Sequence, residues 1–131
     1  MHVYLVRHAK AESGEPDDLR ALNDKGRKQA RELGKRLARA GVRPDAVLTS
    51  PLLRARETAN AIAEATGTQA EPDERLAPGA TADDLRDAVA GRGQTVIVVG
   101  HQPDCGHIAA ALTGGPEPEF PTAGVVELEL P

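Results

Sequence analysis

Apolar positions along the chain follow two periods. Val3-Tyr4-Leu5-Val6 is a short unbroken apolar run, and Thr95-Val96-Ile97-Val98-Val99 is a second, stronger one. Runs of this length, rich in β-branched residues and bounded by polar ones, predict buried strands. Asp45-Ala46-Val47-Leu48-Thr49 predicts another short strand, with an extended piece near Gln69 to Glu71. Gly124 to Leu130 alternates instead, with Val126, Leu128 and Leu130 set against Glu127 and Glu129; this is the pattern of an edge strand with one solvated face.

Between these strands the period becomes helical. Gly26, Ala30, Leu33, Leu37 and Ala40 recur at spacings of four and three, with Arg27, Lys28, Arg31, Lys35 and Arg39 between them. That is an amphipathic helix with a narrow apolar stripe and a solvated basic face. Asn23 or Asp24 can cap its start, and Gly41 stops it. Ser50-Pro51 predicts a second helix, with Ser50 as N-cap and Pro51 at the first helical position. It runs to Thr66 with Leu52, Ala55, Ala59, Ile62 and Ala63 inward, and Gly67 ends it. Thr81 can cap a third helix through Leu85 and Val89 to Gly91, and Pro103 suits the first turn of a fourth, through Ile108 to Leu112, which breaks at Gly114-Gly115. Lys10 to Asp18 and Pro116 to Pro121 read as loops.

Strands separated by helices predict an α/β fold: a three-layer α/β/α sandwich with a mostly parallel central sheet, helices on both faces and right-handed crossovers. The length of 131 residues suits a single domain over 1–131. With 40% hydrophobic and 27% charged residues the chain reads as soluble and globular. Its net charge of −4 argues against nucleic acid or an anionic membrane as partner. Aromatics at 2% leave almost nothing for base stacking. No stretch is long enough to span a membrane, and Arg7 interrupts the first apolar run too early for a signal peptide. Cys105, the single cysteine, excludes an internal disulfide and any multi-Cys zinc site. A cytoplasmic monomer is the expected state.

The candidate chemistry sits at the ends of three strands. The first ends in Arg7-His8, the second in Thr49-Ser50-Pro51 with Arg54 in the turn that follows, and the Val96–Val99 strand in Gly100-His101. In an open parallel sheet the carboxyl ends of the strands are where ligands bind. If the three strands are parallel, Arg7, His8, Arg54 and His101 share one edge with two helix N-termini. Arginine forks and helix N-termini both suit a phosphoryl dianion. An imidazole among arginines is pushed towards its neutral, nucleophilic form. The chemistry expected is in-line attack by His8 on phosphorus, giving a phosphohistidine that water hydrolyses. Arg7, Arg54 and His101 would stabilise the charge, without metal or cofactor.

Arg7-His8-Ala9, then Ser50-Pro51-Leu52-Leu53-Arg54-Ala55-Arg56-Glu57-Thr58-Ala59, then Gly100-His101-Gln102-Pro103 resemble the three motifs of the histidine phosphatase superfamily in order. Within it the chain is most similar to the SixA-like phosphohistidine phosphatase group, through its shortness, its Arg-His-Ala and the stretch Arg20-Ala21-Leu22-Asn23-Asp24-Lys25-Gly26. The resemblance covers nearly the whole chain. It implies that His8 is the phosphorylated nucleophile, that Arg7, Arg54 and His101 hold the phosphate, and that Arg20 reaches the pocket. Asn23 and Ala21 stand where the group usually has Thr and Pro.

Phosphoglycerate-mutase-like members carry a glutamate proton donor on an inserted segment after the second helix. Here Leu76-Ala77-Pro78-Gly79-Ala80 runs straight into the third helix, and the role does not transfer to Glu74. Imidazole leaves phosphorus far more readily than an alkoxide, so a missing acid favours a phosphoramidate substrate. The expected substrate is phosphohistidine on a partner protein or a small phosphoramidate. Its alternatives are a small-molecule phosphomonoesterase or mutase-like enzyme, and a non-catalytic phosphoprotein-binding module.

The remaining candidates have plainer readings. His2 reads as a strand-start surface residue and Cys105 as a buried filler. Thr122 and Ala123 are placed at the pocket mouth by the resemblance, although loop identity alone would account for them. His107 could join His8 and His101 as a metal ligand only in a pocket whose arginines repel a cation.

Overall fold

The structure, a computed structural model, describes residues 1–131. In chain order it comprises β1 (His2–Arg7), α1 (Asp24–Arg39), β2 (Ala46–Thr49), α2 (Leu53–Thr66), β3 (Ala70–Pro72), α3 (Ala82–Val89), β4 (Thr95–Gly100), α4 (Asp104–Thr113) and β5 (Val125–Glu129). Two short 3₁₀ turns, Asp17–Leu19 and Glu74–Leu76, lie in the connections.

The strands form one sheet in the order β3-β2-β4-β1-β5. All neighbours are parallel except β5, which runs antiparallel to β1 at the edge, as its alternation predicts. Successive side chains of a strand point to opposite faces, and both faces are covered. Val3 and Leu5 of β1, Ala46 and Leu48 of β2, and Val96 and Val98 of β4 pack with Leu85 and Val89 of α3 and Ile108 of α4. Val6, Val47, Ile97 and Val99 pack on the other side with Leu33 and Leu37 of α1 and Ala59 and Ile62 of α2. This double burial is why the central strands read as unbroken apolar runs.

Helix α1 starts as predicted, with the Asn23 side chain accepting the Gly26 N–H. Ala40 lies just past the end of α1 and is exposed, so the apolar stripe stops at Leu37. Two glycines of α1 allow close approaches. A Cβ on Gly34 would lie 2.9 Å from the Ala61 carbonyl oxygen of α2, and one on Gly26 would lie 1.9 Å from the Lys10 carbonyl oxygen. The second contact matters most, because it seats the start of α1 against the loop that follows His8. Hydrogen bonds from Asn23 N–H to the Lys10 carbonyl and from Lys10 N–H to Gln29 Oε1 fix the same junction.

Two predicted helix starts are corrected. Helix α2 begins at Leu53, not Pro51, and Ser50 does not cap it: the preceding residue, Leu52, is half-buried and offers no side-chain bond. The Ser50 hydroxyl instead accepts the Leu52 N–H and faces His101. In α4, Pro103 is the residue before the helix rather than its first member. In both places the chain leaving the strand uses an extra residue or two to turn at the site, and the Ser-Pro and Gln-Pro pairs form that turn.

Candidate active site

Register places the strand ends side by side. Arg7 pairs with Gly100 and Thr49 with Val99, so β2, β4 and β1 end at one edge with β4 in the middle. A cavity of about 420 Å³ opens there. Arg7, His8, Arg20, Arg54 and His101, all singled out from the sequence, line it. Lys10, Asp104, Gln102 and Thr122 line it as well. Ala123 does not; it packs against the apolar layer under α1 and α2 instead.

His8 follows β1 directly and is held at both ends. Its N–H donates to the Gly100 carbonyl at 3.0 Å, and its own carbonyl accepts the Ala123 N–H at 3.2 Å. The ring Nδ1 lies 2.7 Å from the Ala9 carbonyl oxygen. A carbonyl only accepts, so Nδ1 carries the proton and the Nε2 lone pair is free. The ring is held neutral, with its pKa lowered to about 4. Burial is the largest cause; the Ala9 carbonyl opposes it, and Arg54, Arg7 and Arg20 add to the lowering in turn. Desolvation thus outweighs the arginines that the sequence pattern alone points to.

Thr58 has a role that the residue pattern alone does not reveal. Fully buried on α2, its hydroxyl accepts the Ala9 N–H at 3.0 Å and donates to the Arg54 carbonyl at 2.8 Å. One side chain thus ties the His8 loop to the helix that carries Arg54. Its place in the Ser-Pro-x-x-Arg-Ala-x-x-Thr-Ala motif was the available signal.

His101 is 5% exposed and lies against His8, the ring centroids 5.2 Å apart. Its pKa is lowered to about 3, first by burial, then by His8 and Arg54, with Asp17 opposing. Nε2 lies 2.7 Å from Ser50 Oγ. Ser50 Oγ already accepts from Leu52, so its own proton can go to Nε2, leaving the His101 ring proton on Nδ1. That Nδ1 is buried and has no protein partner.

The two arginine Nε groups are in the same condition. Arg7 Nη1 donates to the Phe120 carbonyl at 2.9 Å, but its Nε is buried and unpaired. Arg54, 6% exposed, donates from Nη1 to the Asp17 carbonyl at 2.9 Å and from Nη2 to Asp17 Oδ2 at 3.3 Å, and its Nε is likewise unpaired. Buried donors nearly always find an acceptor. The three without one belong to three residues that line a single cavity.

Asp17, in a stretch that the sequence marks as loop, is the anion that pairs with Arg54 behind the cavity wall. Its carboxylate also accepts Arg20 Nε at 3.0 Å, and these two arginines hold it below the usual carboxylate range, with Arg20 the larger cause. Arg20 donates further to the Glu12 carbonyl.

Other sequence candidates fall outside. His107 pairs with Glu117 at 3.2 Å, and no cluster of three His, Cys, Asp or Glu side chains is arranged to hold a metal ion. His2 lies on the exposed edge between Glu127 and Glu129. Cys105 is buried, its thiol pushed up to about 12 by burial, which leaves it an inert filler. Glu74 belongs to a short 3₁₀ turn and does not line the cavity. No helix is long and apolar enough to cross a membrane.

Known proteins share this fold. The protein histidine phosphatase SixA, solved with tungstate, superposes with a TM-score of 0.89 at 27% identity, over 99% of this chain and 88% of that one. The proposed phosphohistidine phosphatase SixA of Agrobacterium tumefaciens gives 0.84 at 30% identity, over 96% and 89%. An uncharacterized protein of Picosynechococcus is 36% identical over 124 residues, covering 88% of this chain and 74% of that protein. Residues 3–78, which hold the first two motifs, match the histidine phosphatase superfamily (branch 1). Members of that superfamily are phosphatases, and the SixA neighbours support phosphatase activity here. With the fold, the strand-end histidines and the sequence match in agreement, this chain belongs to the histidine phosphatase superfamily.

Proposed function

We propose that the protein is a phosphohistidine phosphatase that works through a covalent phosphohistidine on His8. The observation that carries this reading is the His8 ring itself. Its Nδ1–H is committed to the Ala9 carbonyl, and its free Nε2 belongs to a cavity whose other lining residues carry three unpaired buried donors. In this reading Nε2 attacks phosphorus in line. Arg7, Arg54 and His101 bind the equatorial oxygens as charge spreads over them, and Arg20 extends the basic wall. Water then displaces His8. The preferred substrate is a phosphohistidine on a partner protein, or a small phosphoramidate. Its support is that Glu74 does not line the cavity and that the one carboxylate that does, Asp104, uses Oδ2 to accept the Gly79 N–H; an alkoxide needs a proton in order to leave, whereas an imidazole protonated on its far nitrogen departs as it is.

The test is a brief exposure to a phosphoramidate donor, followed by mass spectrometry after acid and neutral quenching. An adduct that survives neutral solution, is lost in acid and maps to His8 is expected. Phosphohistidine and phosphoserine peptides are then compared side by side. Equal turnover of the two would sink the substrate assignment, and steady phosphate release from a His8→Ala variant would sink the mechanism.

A pH prediction follows from the buried rings. The acid limb of kcat/KM reports the free enzyme. With His8 lowered to about 4, the enzyme should stay active well below pH 6.5 on p-nitrophenyl phosphate, after correction for the substrate's own ionisation. The charged groups that share the cavity with His8 are Arg7, Lys10, Arg20 and Arg54, which favour its neutral form, and Asp104, which opposes it, while His101 is itself held neutral by burial. A limb centred near 6.5 would contradict the burial argument. Stability should follow the same sign. Both rings have folded-state values below the unfolded one, so their contribution is complete above about 6.5 and is lost as pH falls towards about 4 and about 3. Urea midpoints at pH 7 and pH 5 would check it.

A further inference from the structure

Asp104 is the one carboxylate among the side chains lining the catalytic cavity. It opens α4, two residues after Gln102, and is half-buried. Its Oδ2 accepts the Gly79 N–H at 2.7 Å, which steadies the side chain against the opposite loop, while Oδ1 takes no hydrogen bond within the protein. The other acid near the site, Asp17, is already engaged by Arg54 and Arg20 and does not line the cavity. A free carboxylate oxygen in a cavity otherwise walled by Arg7, Arg20, Arg54 and Lys10 is unfavourable for binding a phosphoryl dianion alone. It becomes favourable where the rest of the substrate brings a positive N–H donor.

We propose that Asp104 binds the ring N–H of a phosphorylated imidazole and so selects a nitrogen leaving group over an oxygen one. The inference rests on the phosphohistidine reading above and names the residue that enforces it. A phosphorylated imidazole bears phosphorus on one nitrogen and can be protonated on the other. Asp104 accepts that N–H and favours the imidazolium form. When His8 Nε2 attacks, its lone pair forms the new P–N bond. The old P–N bond breaks with its electron pair remaining on the substrate ring. Because that ring already holds a proton at its far nitrogen, it departs as neutral imidazole, and no acid has to deliver a proton during the step. His8 keeps its Nδ1–H on the Ala9 carbonyl and becomes the cationic phospho-imidazolium. Water then adds to phosphorus and releases one proton to solvent, and the pair of the P–Nε2 bond returns to His8. In the second half-reaction the Ala9 carbonyl therefore does for His8 what Asp104 does for the substrate in the first.

The test compares N-phosphorylimidazole with p-nitrophenyl phosphate, whose leaving group has no ring N–H. Asp104→Asn keeps an acceptor for the Gly79 N–H and removes the charge. The ratio of kcat/KM for the two substrates should fall about tenfold or more, the scale of a lost contact to a departing group. Asp104→Glu, which keeps the charge, should retain more of that ratio than Asp104→Asn. An unchanged ratio would overturn the inference, whether both rates hold or both fall together, and so would equal losses in the two variants. A wild-type enzyme that cleaves the nitrophenyl ester but not N-phosphorylimidazole would overturn the phosphohistidine reading itself, and this inference with it.

Discussion

Replacing His8 with alanine is expected to lower kcat by about 10⁴-fold or more, the scale seen when a covalent nucleophile is removed from an otherwise intact site. No neighbour can take over. His101, the nearest imidazole, has Nε2 engaged with Ser50 and carries its ring proton on Nδ1, so neither nitrogen offers a free lone pair. Lysine and arginine side chains present hydrogen-bond donors and no acceptor lone pair. What survives is slow attack by water on a phosphoryl group still held by Arg7, Arg54 and His101, so binding should outlast turnover. Titration calorimetry with inorganic phosphate, run beside steady-state kinetics on p-nitrophenyl phosphate, separates the two. Phosphate affinity within about tenfold of wild type together with a collapsed kcat is the expected pair. A kcat within tenfold of wild type would remove His8 from the reaction.

The second large effect is expected at Arg54. Arg54→Ala should lower kcat/KM by about 10²–10³-fold, the cost of deleting a preorganised donor that meets transition-state charge. Arg54→Lys should recover little of it. The native fork donates from Nη1 and Nη2 to Asp17 and so holds the guanidinium in one fixed plane. A lysine ammonium is a point charge and cannot present that geometry. Removal of Arg54 also leaves Asp17 with Arg20 as its remaining arginine partner. The added negative charge near the site should therefore raise KM more than charge loss alone. Kinetics on both variants, with circular dichroism to confirm folding, would check this. Equal activity of Arg54→Lys and wild type would mean that charge, not the guanidinium fork, is what the site uses.

Much of this is readable in the sequence. The β-branched runs marked three of the sheet's strands because central strands covered on both faces leave no polar alternation, and β5 betrayed its edge position by alternating. The α1 stripe was visible because Ala30, Leu33 and Leu37 fall on one helical face. Arg7, His8, Arg54 and His101 stood out because charged or titratable groups at the ends of apolar runs need a reason to be there. Ser50 and Pro51 misled for a physical reason. Ser followed by Pro is also a good helix start, and nothing local reveals that the hydroxyl is drawn off by an imidazole 51 positions away.

The rest depended on contacts between distant parts of the chain. Asp17 looked like any loop acid until the 3₁₀ turn brought it to Arg54, 37 positions on. Thr58 looked like one helix residue among many until its hydroxyl met Ala9, 49 positions back. The sequence alone determined the α/β class and the basic character of the pocket at the strand ends, because these follow from local periodicity and from residue types at those ends. Only the tertiary structure decided that β4 lies between β1 and β2, that burial rather than the arginines chiefly keeps His8 neutral, which ring nitrogen of His8 is free, and that Asp104 turns its carboxylate to the same cavity. Each of these depends on which distant backbone and side-chain groups come within hydrogen-bonding distance, and on how much water they exclude together.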